Sequence, residues 1–263
     1  MFDALVHRRI ATGIYDLSVS LADIEELNRN VISGIPDISK ISTALYPQVS
    51  ESYQILAAGA AIGTNNGPVL ISDRDRTIPE LADKTIAIPG LHTTANLLLS
   101  IAFPEIVNKT EVRFSDIEQA LLNYQYAAGL IIHESRFTYE QKGLKKIVDL
   151  GEYWQQTYKK LIPLGLIVVK RTLPEHVKKQ IEQLISTSVQ HAFRYPADSD
   201  AYIKANAQEM ADQVVRQHIA LYVNKYSEHM GDTGKEAIRF LFSEAAGRGL
   251  LPKIHTKDIF LNE

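Results

Sequence analysis

Apolar positions along this chain fall into two rhythms, and the places where one replaces the other divide it into elements. Short unbroken apolar runs, rich in β-branched residues, read as strands buried on both faces. They are Ile38-Ser39-Lys40-Ile41, Val69-Leu70-Ile71-Ser72, Thr85-Ile86-Ala87-Ile88-Pro89, Glu111-Val112-Arg113-Phe114, Gly129-Leu130-Ile131-Ile132, Ile147-Val148-Asp149-Leu150 and Pro163 to Val169, with a shorter one at Ser18 to Leu21. Helical spacing predicts helices over 2–10, 24–32, 95–103, 116–125, 174–195, 198–208, 211–227 and 232–246. Asp23 with Glu26, and Ser115 with Glu118, have capping-box spacing; Ser42-Thr43 and Thr93-Thr94 are placed to cap the helices after them.

From Thr85 to Glu134 strand and helix alternate, the pattern of a parallel α/β sheet. Right-handed crossovers bring the loop His92-Thr93-Thr94 and the end of the His133 strand to one edge. A polar stretch, Arg74 to Thr77, marks a crossing between two lobes, and the strand at Pro163 to Val169 marks the return. The expected lobes are 1–73 with 168–263, and 74–167.

In open α/β sheets ligands bind beyond the strands' carboxyl ends. His133 stands there, at the head of His133-Glu134-Ser135-Arg136, and is the first candidate for proton transfer; it can equally cap its strand by bonding a carbonyl. The helix start at Thr94 offers free N–H groups to an anion or is a plain cap. Asn28 reads as a solvent-facing polar position on helix 24–32. Trp154, the only tryptophan, reads as core packing ahead of a ligand wall.

Composition narrows the classes. The 263 residues carry a net charge of −3 with scattered basic pairs, which favours neither nucleic acid nor an anionic membrane as partner. There is no cysteine, so disulfides and thiolate metal sites are excluded. No run approaches the ~18 apolar residues of a membrane span. The start has no signal-peptide layout, and a cytoplasmic protein is expected. His176, His191, His218 and His229 lie on the tail helices without His-x-x-x-His or His-x-Glu spacing, so they read as structural or exposed and no metal site is expected.

Pro89-Gly90-Leu91-His92-Thr93-Thr94-Ala95 together with Gly129 to Tyr139 resembles the 1,4-dihydroxy-6-naphthoate synthases of the futalosine route to menaquinone. Phe2 to His7, Leu27-Asn28, Lys40-Ile41-Ser42, Gly67-Pro68, Asp149-Leu150-Gly151, Pro163-Leu164-Gly165 and Tyr222-Val223-Asn224 extend the likeness almost end to end. The resemblance implies an α/β fold of the two-lobed periplasmic-binding-protein type II kind, with a central cleft and two hinge crossings. It implies a lyase converting cyclic dehypoxanthinyl futalosine to 1,4-dihydroxy-6-naphthoate. His133 would be the proton acceptor; Asn28, Lys40, Ile41, Ser42, Thr94 and Ala95 would bind substrate. Neither metal nor organic cofactor is implied. Glu134 and Arg136 are expected to brace His133, with Glu134 pointing away from it. Chorismate dehydratase of the same pathway and a non-catalytic solute-binding protein share the fold and are the alternatives.

Two departures accompany the likeness. The family pattern opens with a strand running into Ser-Pro-Cys-Pro-Asn-Asp-Thr before the segment matching Phe2-Asp3-Ala4-Leu5, and the sequence as given begins after it. The expectation is either a start codon further upstream or a chain with apolar surface and unpaired backbone exposed in its first lobe. Tyr124-Gln125-Tyr126-Ala127 replaces a stretch where the family carries a glycine and an acidic residue, and is expected to be tolerated.

Overall fold

The computed structural model describes residues 1–206 and 212–261. In chain order the helices are α1 (Asp3–Val6), α2 (Ile24–Ile32), α3 (Tyr46–Val49), α4 (Thr94–Ala102), α5 (Ile117–Leu122), α6 (Leu150–Tyr158), α7 (Glu175–Arg194), α8 (Asp200–Asn206), α9 (Asp212–Tyr222), α10 (Lys225–Glu228) and α11 (Gly231–Gly247). The strands are β1 (Ile38–Ser42), β2 (Tyr53–Ile55), β3 (Ala61–Gly63), β4 (Val69–Ser72), β5 (Ile86–Ile88), β6 (Lys109–Glu111), β7 (Ala128–Ile131), β8 (Lys145–Asp149) and β9 (Ile162–Lys170).

They form two sheets. In the first, β1 and β2 flank β9, and β3 also pairs with β9, all antiparallel. In the second the order is β6-β5-β7-β4-β8. Here β5 pairs parallel with both β6 and β7, so the alternation from Thr85 to Glu134 folds as a parallel unit. The carboxyl ends of β5 and β7 are therefore neighbours, and the loops they feed leave from one edge. β4 pairs antiparallel with β7 and β8. Placing β4 in the second sheet, and all of β9 in the first, puts the changes of sheet before residues 69 and 162 rather than near 74 and 168. The polar run at 74–77 misled because β4 is buried at every position and reads the same in either sheet.

The core follows the apolar runs. β4, β5 and β7 are buried at every position. Trp154 is 1 % exposed and packs in the second sheet's cluster with Leu98, Leu130 and Leu241. Asp149 ends β8 and caps α6, its Oδ1 accepting from the N–H groups of Gly151 and Glu152.

Several local expectations shift. The first helix covers only Asp3–Val6, because Arg8 adopts the left-handed region, with φ of 52°. Ser18 to Leu21 forms no strand: Val19 and Leu21 are exposed, and no described strand pairs there. Asp23 caps α2 through the N–H of Glu25 at 2.8 Å instead of a capping box with Glu26. The second strand of the parallel unit, β6, ends at Glu111, and Phe114 to Asp116 is already a 3-10 turn. Ser115 makes no cap to α5; its hydroxyl donates to the Asp116 carboxylate. The tail helices form as α7 to α11; residues 207, 208 and 211 of the expected spans lie outside the described residues.

Candidate functional site

The site is assembled from the loops that leave the adjacent carboxyl ends of β5 and β7, from β1, and from α2 and α9. His133 comes first. β7 ends at Ile131, Ile132 is extended, and His133 turns sharply into a 3-10 segment, His133–Phe137, with φ of 56°. A non-glycine residue there is held against its own preference by its surroundings. The imidazole lies 5.1 Å from the Phe114 ring, 5.7 Å from His218 in an edge-on arrangement and 6.5 Å from Tyr222, centroid to centroid.

His218 and Tyr222 stand four residues apart on α9 and so share one face of it, with their rings 4.7 Å apart. By its spacing along the chain His218 reads as a structural or exposed residue. Spacing along the chain could not reveal that α9 packs against the turn after β7. The i, i+4 pair of a histidine and a tyrosine, the latter inside a family-like stretch, was the one available signal.

The turn also decides Glu134 and Arg136. Alternation across an extended chain would point Glu134 away from His133, but the chain is no longer extended there. Glu134 Oε1 instead lies 3.2 Å from His218 Nδ1. One ring nitrogen each from His133 and His218 and one Glu134 oxygen all lie within 4.8 Å of one another. The expectation of no metal site rested on spacing in sequence, which does not see this cluster. Its donor types suit a divalent ion, but the Lys40 ammonium, whose charge acts on both imidazoles, opposes one. Arg136 turns the other way: Nη1 donates to Gly67 O at 2.6 Å and Nη2 to the Asp149 carboxylate. These bonds tie the turn to the end of β8 and to the segment before β4.

Lys40 links this cluster to the first sheet. It lies on β1 two residues before Ser42, so both project to the same side of the strand. Its Nζ is 3.5 Å from Gly59 O, and removal from water lowers its pKa to about 8. Ser42 does not cap the 3-10 turn after it. Its N–H donates to Asn28 Oδ1 at 2.9 Å, and Asn28 Nδ2 donates to its hydroxyl at 3.1 Å. Asn28 is fully buried, not a solvent-facing position, and its Nδ2 also donates to Glu25 Oε2. Ile41 is sealed in the first sheet's core and Ala95 in the second's, so only their backbones can meet a ligand.

Across from these, Thr93 rather than Thr94 is the N-cap of α4, its Oγ1 accepting from Asn96 N. Thr94 is buried, and its hydroxyl is already engaged. It accepts from Ala44 N at 3.2 Å and donates to Leu164 O at 2.8 Å, joining the two halves of the molecule. What α4 offers a ligand is its first-turn N–H groups, which have no partner inside the helix. A second tie runs from His92 Nδ1 to Glu25 Oε1 at 2.5 Å. Gly90 allows it: a Cβ there would stand 2.4 Å from the Glu25 carboxylate. Glu25 and this tie carried no sequence signal of their own.

Both imidazoles are neutral at pH 7. Removal from water is the main cause, and it holds His133 and His218 at about 4. For His133 the neighbouring His218 and Lys40 lower it further, while Glu134 opposes them. The unfolded chain binds protons at these rings near the ordinary 6.5. Between 6.5 and 4 the unfolded state takes up protons that the folded state refuses. This contribution to stability is therefore complete above about 6.5 and declines as pH falls toward 4. Urea denaturation midpoints should drop between pH 7 and 4.5. The drop should shrink in a His133→Asn, His218→Gln double variant; an undiminished drop there would place its origin elsewhere.

A family model described as menaquinone biosynthesis matches residues 1–247. The chain is 38 % identical over 250 residues to the 1,4-dihydroxy-6-naphthoate synthase of Thermus thermophilus, covering 95 % of this chain and 90 % of that protein. It is 36 % identical over 259 residues to the Streptomyces coelicolor protein of the same name, covering 97 % and 91 %. A crystal structure of an Archaeoglobus fulgidus protein superposes with a TM-score of 0.87 at 32 % identity, over 95 % of this chain and 93 % of that one. The ligand-binding component of an ABC-type import system from Staphylococcus aureus superposes at 0.72 with 14 % identity, over 98 % and 90 %. That likeness shows the fold alone: two α/β halves of the periplasmic solute-binding kind. By the extent of these matches the chain belongs to the menaquinone-biosynthesis family, among relatives that are 1,4-dihydroxy-6-naphthoate synthases.

Proposed function

We propose that this chain is a lyase that converts cyclic dehypoxanthinyl futalosine to 1,4-dihydroxy-6-naphthoate, with His133 as proton acceptor. The observation that carries the reading is the near full-length identity to two proteins bearing that enzyme's name. The placement of His133 supports its role. A neutral imidazole can take a proton from carbon only if it is unprotonated beforehand, and burial keeps it so. The Lys40 ammonium answers a substrate carboxylate, and the first-turn N–H groups at Thr94 and Ala95 answer an anionic or carbonyl oxygen. Ser42 borders the same side of β1 as Lys40, with Asn28 behind it fixing its N–H and hydroxyl. Substrate held between these groups presents the carbon acid of its ribose-derived ring to His133, and loss of that proton starts fragmentation of the ring. An anionic substrate beside Lys40 also removes one of the charges that hold His133 down, making it a stronger base once substrate is bound.

The reading has a small molecule as substrate, no nucleic-acid or membrane partner, and the cytoplasm as its place. Among the described residues no helix is long and apolar enough to cross a membrane. The test is incubation of the purified protein with cyclic dehypoxanthinyl futalosine and, separately, with chorismate. The expected product has the mass of 1,4-dihydroxy-6-naphthoate. Dehydration of chorismate would move the assignment to the sister enzyme, and binding without turnover would make the protein a solute-binding one.

A further inference from the structure

Among the described residues Glu134 is the one carboxylate that joins the two imidazoles of the cluster, with an oxygen inside the 4.8 Å group and 3.2 Å from His218 Nδ1. The cation that acts on the same cluster is the Lys40 ammonium on β1. Arg136, two residues on, is committed to Gly67 O and Asp149. His218 lies mostly out of solvent and is an uncharged ring at neutral pH, so its Nδ1, 3.2 Å from Glu134 Oε1, stands beside the carboxylate without cancelling its charge. We propose that Glu134 is a positioning residue that stabilises the imidazolium formed when His133 accepts a proton, and that His218 is the neutral donor that fixes the Glu134 carboxylate for this purpose. The inference rests on the proton-acceptor reading of His133.

The physical logic is that of any buried base. Taking up a proton creates a positive charge in a place that disfavours it, beside a second imidazole and the Lys40 ammonium. A fixed negative charge within 4.8 Å offsets that cost at the moment it arises. A cationic holder in place of His218 would spend the same charge in the resting state. The proton moves once: the substrate C–H bond breaks, an N–H bond forms on His133, and the electron pair stays on the substrate carbon. Glu134 and His218 exchange nothing.

The groups that face this pair are His133 on its own turn, Tyr222 on α9 and Lys40 on β1. Arg136 and Asp149 act at one remove, through Tyr222. Glu134→Gln preserves size and hydrogen bonding while removing the charge. We expect kcat to fall about 100-fold with KM within about threefold. His218→Arg should behave like Glu134→Gln, and His218→Gln, a neutral donor, should cost several-fold less. On the same proteins without substrate, nitrogen-15 NMR of the histidine rings should show His218 protonated at Nδ1. It should also show His133 titrating at lower pH in Glu134→Gln than in the parent. Unchanged kcat, or unchanged His133 titration, in Glu134→Gln overturns the inference. If the parent itself yields no 1,4-dihydroxy-6-naphthoate, the proposed function fails, and the NMR titration still decides whether Glu134 supports the His133 imidazolium.

Discussion

Replacing His133 is expected to lower turnover by about 10²–10⁴-fold, the range that a positioned general base supplies. Asparagine is the better substitution for showing it. The backbone at His133 has φ of 56°, a left-handed conformation that asparagine tolerates more readily than alanine. The side chain contributes no hydrogen bond among the described residues; its contacts are with the rings of Phe114, His218 and Tyr222. His133→Asn should therefore keep its thermal transition near that of the parent while product formation from cyclic dehypoxanthinyl futalosine nearly stops. Burial also sets the pH at which the base is lost: with the imidazole held at about 4, activity of the free enzyme should persist well below 6.5 on the acidic side. A His133→Asn protein that turns over at the parent rate, or a parent whose kcat/KM halves near 6.5, would remove His133 from the role.

Much of this arrangement was legible because it depends on short-range pattern. The buried runs of β4, β5 and β7, the alternation that makes the parallel unit, and the histidine at a strand's carboxyl end all arise from local chemistry. So did Trp154 as core. The misses share a physical cause, which is that they depend on partners distant in sequence. Thr94 looked like a plain cap or the start of an anion site, yet its hydroxyl is engaged by Ala44 and Leu164, 50 and 70 residues away. Asn28 looked like a surface position, yet it is enclosed by Ser42 and Glu25. His218 belongs to the site only because α9 folds back on the turn after β7. Glu134 was misplaced for a different reason. The period-two rule was carried one step past the end of a strand, into a turn whose left-handed residue reverses the direction of the next side chain. The strand expected at Ser18 to Leu21 failed because a strand needs a neighbour, and propensity says nothing about whether one is present.

Arg136→Ala is expected to be the most damaging change for stability among the residues around the site, about 3–5 kcal/mol, as for removal of one partner from a buried ion pair. Arg136 and Asp149 are both largely withdrawn from water, with side chains 14 % and 5 % exposed. The guanidinium joins three segments. It satisfies Gly67 O in the link between the sheets, and it grips the Asp149 carboxylate, which also caps α6. The backbone beneath is as tight as it can be: a Cβ on Gly67 would stand 2.4 Å from Gly151 N, and one on Gly151 would stand 2.7 Å from Gly67 N. With Arg136 gone, Asp149 loses a charged partner while keeping its two backbone donors, and the Gly67 carbonyl is left without its donor. Arg136→Lys should recover only part of the loss, since an ammonium cannot make both bonds in the geometry of a planar fork. The His133 turn is anchored by this residue three positions on, so turnover in Arg136→Lys should fall further than its stability alone requires. Urea denaturation of Arg136→Ala, Arg136→Lys and the parent, with kcat measured well below each midpoint, separates the two effects. A loss under about 1 kcal/mol in Arg136→Ala would place the pair among those that solvent renders nearly neutral, and the brace of the His133 turn would then have to lie elsewhere in the packing of α9 against it.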